Sequence, residues 1–489
     1  TFPISSGKWY WEVTLDRANS GVSPAYYVRL GIHKQDMGSD TSLSDGGMDT
    51  HEAMYISVGG TFNGASYGTG YDTGDIIGVA FDADSGSLTF YRNGVSQGVA
   101  TSSLSSSDYP YLPAIKSYAG AATFNFGQKA FTHSAPSGYK CLCTANLADP
   151  AVLDGSTAFD VKTYSGTGAD QTISGFNFSP DVVIIAARND SQKSPVVDSV
   201  RGATKELLWD SDEEPESTVS TGLKAFNSDG FDIGTDGNYN NSARTYVAWA
   251  WNAGTGSASS NTAGSETTSV KANTTAGLSI MSYAGTAATD TFGHGLNAIP
   301  QAYILKNRES TTDRPFTLFT TAFDGSLDNR LFNELGTKGD ASETAPTSSV
   351  IELDQADNYN LTDAHIGYII APVEGFSKFG TYTGIGTSTT HNYHNFVNCG
   401  FKPRFLIVQS SASSAHSYVY DSARNTANPV DQALQTTVNA SETDIGDVYF
   451  LSNGFKIGSN SVSDGSNGNF LTYFYMAFAE HPLKNARAF

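Results

Sequence analysis

The chain of 489 residues sets 49 acidic side chains against 28 basic ones, giving a formal charge of −21 with no clustering of the bases, which argues against nucleic acid as a partner because phosphates are held by Lys and Arg. No apolar run approaches the ~20 residues of a membrane-spanning helix, and charged residues make up only 16%. Twelve per cent aromatic content and 49 glycines exclude a disordered chain and predict an all-β, loop-rich protein with substantial cores. Cys141 and Cys143 lie too close for an easy bridge and Cys399 stands alone. No CxxC or His/Cys spacing indicates zinc, so neither a metal nor another cofactor is expected.

Residues 8–132 alternate apolar and polar positions in short runs punctuated by glycine, as in KWYWEVTL, YYVRLGI, DIIGVAFD and SLTFYRNG, the pattern of half-buried strands. Asn93-Gly94 after Leu88–Tyr91 predicts a tight hairpin, because that pair supplies the positive φ angles of a primed turn. Gly7-Lys8-Trp9-Tyr10-Trp11-Glu12-Val13, Gly74–Asp82, Phe90–Gly94, Tyr109–Ala114 and Phe124–Gln128 follow one another in an order and spacing that resembles the SPRY domain. The resemblance covers about residues 1–140 and implies a two-sheet β-sandwich that binds partners through its loops without catalysis. It sets a first domain at 1–145.

An internal repeat organises the remainder. One copy runs from Tyr164-Ser165-Gly166-Thr167 through Phe178-Ser179-Pro180 and DVVIIAAR to Asp198-Ser199-Val200-Arg201, Asp229-Gly230-Phe231 and a closing TYVAWAW. A later copy runs from Tyr382-Thr383-Gly384 through Phe401-Lys402-Pro403 and RFLIV to Asp421-Ser422-Ala423-Arg424, Asn453-Gly454-Phe455 and TYFYMAF. Proline to aspartate is 18 residues in both, 180 to 198 and 403 to 421. Between them Tyr283-Ala284-Gly285-Thr286, Ile299-Pro300, QAYILKNR and HIGYIIAP form a degraded copy without the Asp-Ser-x-Arg and Gly-Phe elements. Repeat domains are therefore expected at 146–254, 275–374 and 375–489. The small-residue stretch at 255–274 is expected to be a flexible linker. The architecture, carried best by residues 374–384, Tyr420–Asn425 and Ala477–Lys484, resembles repeat-bearing proteins of marine bacteriophages that are taken for tail-fibre or other virion appendage components.

Asp198 with Arg201 and Asp421 with Arg424 are the recurring charged pairs, expected to be structural ion pairs that hold a loop rather than sugar-binding groups. The acidic loop 210–216 (DSDEEPE) lacks the ligand spacing of an EF-hand and is taken as a solvated turn. His391 and His394 have no third ligand in view. No GxSxG, HExxH, P-loop or GxGxxG occurs, so no catalytic residue is assigned. Tyr109, Tyr111, Trp209, Tyr239 and Tyr359 lie beside turn residues or charges, where an aromatic ring can stack on a sugar or anchor a protein contact, and they are the binding candidates.

The expectation is a bacteriophage appendage protein on the virion surface, made in the host cytoplasm, that binds a host surface glycan or receptor and other virion proteins. A capsid decoration or head-fibre protein is the alternative, and a polysaccharide depolymerase tailspike a further one. A homo-oligomer, with a trimer favoured, is implied by the resemblance.

Overall fold

The computed structural model describes residues 3–18, 28–34, 52–57, 60–105, 110–117, 120–147, 149–209, 215–311, 314–331, 338–354, 359–384, 395–411, 417–436, 438–445, 448–458 and 471–482. It is nearly all β and divides into two compact units, Thr1–Ala148 and Asp149–Phe489.

In the first unit Lys8–Arg17 lies between Ala121–Asn125 and Ile76–Asp82, followed by Ser87–Arg92 and Val95–Thr101. A second antiparallel sheet is centred on Val28–Lys34, with Glu52–Ile56 on one side and Tyr111–Ser117 on the other. Trp11, Val13, Leu30, Ile32, Tyr55, Val79 and Phe90 are completely buried. The Asn-Gly hairpin forms as expected, with φ of 51° at Asn93 and 79° at Gly94. Asn93 Oδ1 also accepts from the Ile76 N–H, which ties the turn to the neighbouring strand.

The second unit holds the three copies, and each builds the same sheet. A closing strand (Thr245–Trp251, Ala364–Ile370, Thr472–Pro482) lies between an opening strand (Phe159–Ser165, Leu278–Ala284, Ser377–Thr383) and the inner strand that follows the proline. The inner strands are Val182–Ala187, Ala302–Asn307 and Phe401–Ser410. Their registers coincide: Val182, Ala302 and Phe405 face Trp251, Ile370 and Phe478 of their own closing strands. Val182, Ala302 and Phe405 are also opposite Asp198, Thr320 and Asp421 on the next strand. A small second sheet, containing Gly230–Ile233, Val350–Leu353 or Gly454–Ile457, covers each large one. The middle copy places Val350-Ile351 where the others have Gly-Phe.

These antiparallel sheets are buried on both faces. Val183, Ile185, Ala187, Ala248 and Ala250 pack against Ile173, Phe231 and Ile233 of their own small sheet. With the strand period of two, Val182, Ile184, Trp249 and Trp251 point the other way, and Trp251 packs 5.6 Å from Phe405 and 5.8 Å from Phe478 of the last copy. This explains the unbroken apolar runs DVVIIAAR and TYVAWAW where a one-sided sheet would alternate.

The expected linker is not one. Ser259–Asn261 and Thr268–Asn273 extend the middle sheet, paired to Leu278–Ala284. Backbone pairing is indifferent to small polar side chains, and an edge strand needs few apolar contacts: Thr268 and Val270 are buried while the residues beside them stay out.

Candidate functional site

The recurring charged pairs lie where one copy meets the next. In the first copy Asp198 ends a strand and its Oδ1 accepts from the N–H groups of Val200 and Arg201, at 3.0 and 2.8 Å, closing a tight turn. The turn brings Arg201 Nε to 2.5 Å from Asp198 Oδ2 and lets Arg201 Nη2 donate to Val196 O at 2.9 Å. The last copy repeats each contact: Arg424 N–H to Asp421 Oδ1 at 2.8 Å, Nε to Oδ2 at 2.6 Å and Nη2 to Val419 O at 2.8 Å. All four charged side chains are fully buried, so the hydrogen bonds that satisfy them are obligatory.

Each pair is completed by another copy. Tyr368 Oη of the middle copy donates to Asp198 Oδ2 at 2.9 Å, and Trp249 Nε1 of the first copy donates to Asp421 Oδ2 at 3.0 Å. Tyr368 and Trp249 are equivalent, opposite Ile304 and Ile184 respectively. Burial and then the Asp198 carboxylate push the Tyr368 hydroxyl far above its ordinary range. Burial alone would lower Arg201, and Asp198 reverses that, holding the guanidinium charged. Beside each pair stands a two-pronged salt bridge: Arg308 to Glu216 at 2.8 and 3.0 Å, and Arg188 to Glu442 at 3.0 and 2.8 Å. Backbone bonds run alongside, from the N–H of Glu216 to Arg308 O and from the N–H of Glu442 to Arg188 O, both at 2.8 Å.

The third junction closes the ring, from last copy to middle copy, with Lys338 N–H donating to Ser411 O at 3.4 Å. Its chemistry is exchanged position by position. Thr320 stands for the aspartate, Phe323 for the arginine, Lys338 for the glutamate, Ser411 for the partner arginine and Met476 for the tryptophan or tyrosine. A buried acid returns from the adjacent strand: Asp328, opposite Thr320, takes the Lys338 ammonium. That ammonium also lies 5.5 Å from the centre of the Phe323 ring, which packs 6.2 Å from Phe474 of the last copy. Where the three copies meet, Ile184, Ile304 and Ile407, with Trp251, Ile370 and Phe478, line an apolar cavity of about 40 Å³.

The described aromatic candidates are buried or half-buried, each in its own surroundings. Tyr239 is 1% exposed and donates to Glu206 Oε2 at 2.6 Å. Tyr359 is 7% exposed, donates to Glu343 Oε1 at 3.1 Å and packs edge-on against Phe319. Tyr111 is buried against Phe81. Trp209 is half-buried beside Phe316 of the middle copy. Turn residues beside these rings signalled exposed loops, but Tyr111 opens a strand, Tyr239 lies in a short helix and Tyr359 packs onto Phe319, each ring turned inward. Tyr109, His391 and His394 lie outside the described residues. Among the described residues no group of three His, Cys, Asp or Glu side chains is placed to hold a metal ion.

Several of these structural residues carry a signal in the sequence itself. Arg188 and Arg308 end the equivalent runs DVVIIAAR and AYILKNR, and Glu216 is the last residue of the acidic loop assigned to solvent. Asn-Tyr-Asn recurs at 238–240 and 358–360. Its final asparagine accepts from the N–H of Thr167 or Thr286 and donates to the carbonyl of Ala169 or Ala288. It thereby pins the loop that opens each copy.

Residues 154–482 match the family model described as a domain of unknown function (DUF7483), and residues 8–129 match the SPRY domain. Among solved structures, the SPRY domain of human HERC1 is 13% identical, with 27% of this chain and 81% of that chain covered and a TM-score of 0.21. A second human SPRY domain is 20% identical, with 27% and 83% covered and a TM-score of 0.20.

Proposed function

From the premise that the chain belongs to the family of that domain of unknown function and carries an SPRY domain ahead of it, we propose that it is a non-catalytic bacteriophage appendage protein that binds the host surface, with glycan as the ligand class. The observation that supports this most is where the recurring charge goes. Asp198, Arg201, Asp421, Arg424 and their Glu and Arg neighbours are consumed in joining the copies, whereas a catalyst would hold titratable groups toward an open cleft. Linking several weak sites on one body raises avidity without new contacts. The SPRY domain, a module used generally for protein contacts, supplies attachment to other virion proteins. The threefold arrangement that a homotrimer would provide is already present within one chain, so a trimer is not required to build this module.

Binding of the purified full chain to host cells tests the proposal: adhesion to a susceptible strain, lost after periodate oxidation of the cell surface, is the expected result. Failure to bind any host strain would sink it, and release of reducing ends from host polysaccharide would replace it with a depolymerase. The internal threefold arrangement also favours a second reading, a capsid decoration or head-fibre protein seated on a threefold position of the shell. Labelling the chain on intact particles separates the two, since density on the shell favours decoration and density on the tail favours attachment.

A further inference from the structure

We propose that Cys141 and Cys143, at the end of the SPRY unit, form a site of reversible covalent modification, closing to an internal disulfide by thiol–disulfide exchange with a low-molecular-weight disulfide such as oxidised glutathione. Cysteines separated by one residue do not ordinarily bridge, because an extended chain holds their Cα atoms about 6.7 Å apart, at the edge of the range a disulfide spans. Here the chain is not extended. The Cys143 N–H donates to Cys141 O at 2.9 Å, an i to i+2 bond that makes Leu142 the centre of a γ-turn and draws its neighbours together. Leu142 is buried, which holds the turn.

The two sulfurs are already 3.4 Å apart, so side-chain rotation has only to bring them to the ~2.0 Å of a disulfide bond. Asn146, in the short 3-10 turn that follows, donates to Cys141 O at 2.9 Å and reaches Cys141 Sγ at 2.9 Å and Cys143 Sγ at 3.4 Å. One amide thus fixes the turn and faces both sulfurs, where it stabilises a thiolate. Two further contacts immobilise the first cysteine. Its strand Lys140–Cys141 pairs in parallel with Trp9 and Tyr10, and Gly127, at φ of 101°, leaves room for the sulfur that a Cβ would approach to 2.7 Å. Both cysteines are partly exposed, while Cys399 is buried.

The exchange balances without another reagent. One protein thiolate attacks a sulfur of oxidised glutathione and releases one glutathione thiolate, which takes up the proton lost. The second protein thiolate then attacks the mixed disulfide, forming the Cys141–Cys143 bond and releasing the second glutathione. The protein loses two protons and two electrons, and the glutathione disulfide gains them. Burial, followed by the neighbouring Cys143, raises the Cys141 thiol, so exchange accelerates as pH rises above neutrality.

The full chain, first reduced, is incubated with oxidised glutathione, quenched with acid and analysed by mass spectrometry and by thiol titration in denaturant. The expected product has lost two hydrogens, maps to the peptide carrying both cysteines, and shows one titratable thiol in place of three. Cys143→Ser should instead stop as a stable glutathione adduct on Cys141, and Cys399→Ser should close the bridge like the parent chain. Retention of all three thiols, a persistent glutathione adduct on the parent chain, or a bridge between two chains would each overturn the proposal. Because a ring closed over one residue barely constrains the unfolded chain, the readout is chemical and does not depend on a change in melting temperature.

Discussion

The two junctions built on Asp-Ser-x-Arg and the one that lacks it hold the same ring together by different means. Where Asp198 and Asp421 sit, a buried carboxylate binds its own arginine, two backbone N–H groups and an aromatic donor from the next copy. Where Thr320 sits, an aromatic ring fills the place of the arginine and one ammonium answers an acid supplied by the neighbouring strand. In both, the named charges cancel: two acids with two arginines in one case, Asp328 with Lys338 in the other. What persists across the copies is buried neutrality and filled volume rather than residue type, as expected where an unpaired buried charge is the costliest fault.

The comparison breaks most sharply at the aspartates. Asp421→Ala leaves Arg424 buried without its partner and should cost about 3–5 kcal/mol in denaturant unfolding of the repeat unit. Thr320→Ala at the equivalent site should cost less, about 1–2 kcal/mol, since it removes two hydrogen bonds of a buried hydroxyl but strands no buried charge. Equal losses at the two sites would contradict the assignment of roles.

Lys338→Ala should fall between these and should depend on pH. Burial raises the Asp328 carboxyl, opposed by the Lys338 ammonium, and removing the ammonium raises it further. The variant therefore loses little stability in acid, where Asp328 is protonated in both states, and progressively more as pH climbs through the carboxylate range. Thermal melts of variant and parent across that range would show the gap widening.

Smaller effects test the donors from the next copy. Tyr368→Phe removes one hydrogen bond to a buried carboxylate and should cost about 1–3 kcal/mol. Arg188→Ala opens a partly exposed salt bridge, and a loss of about 1 kcal/mol or less that shrinks in high salt is expected. The smallest effect is at Glu206, whose carboxyl is raised by burial, with the Tyr239 hydroxyl opposing. The folded state holds this proton more tightly than the unfolded state, so native stability falls as pH rises from the unfolded carboxylate value through the raised one. Glu206→Gln should flatten that part of the melting profile.

The sequence by itself determined the strands, the hairpin at Asn93-Gly94, the SPRY domain and the order of elements in the two complete copies, because these rest on local periodicity and turn chemistry that a single chain displays. The marginal copy was legible from its opening Tyr-x-Gly-Thr and its proline-to-strand step, although its charged elements had moved. Three things only the tertiary structure decided. The stretch at 255–274 became strand because an edge of the middle sheet was available to pair with it, which composition does not record. Tyr111, Tyr239 and Tyr359 turned inward because the direction of a side chain beside a turn follows from what its backbone covers in the folded chain. And the ion pairs proved to join copies as well as to hold their own turns, since the residues that complete them lie roughly 170 positions away in sequence, where no local spacing can foretell the contact.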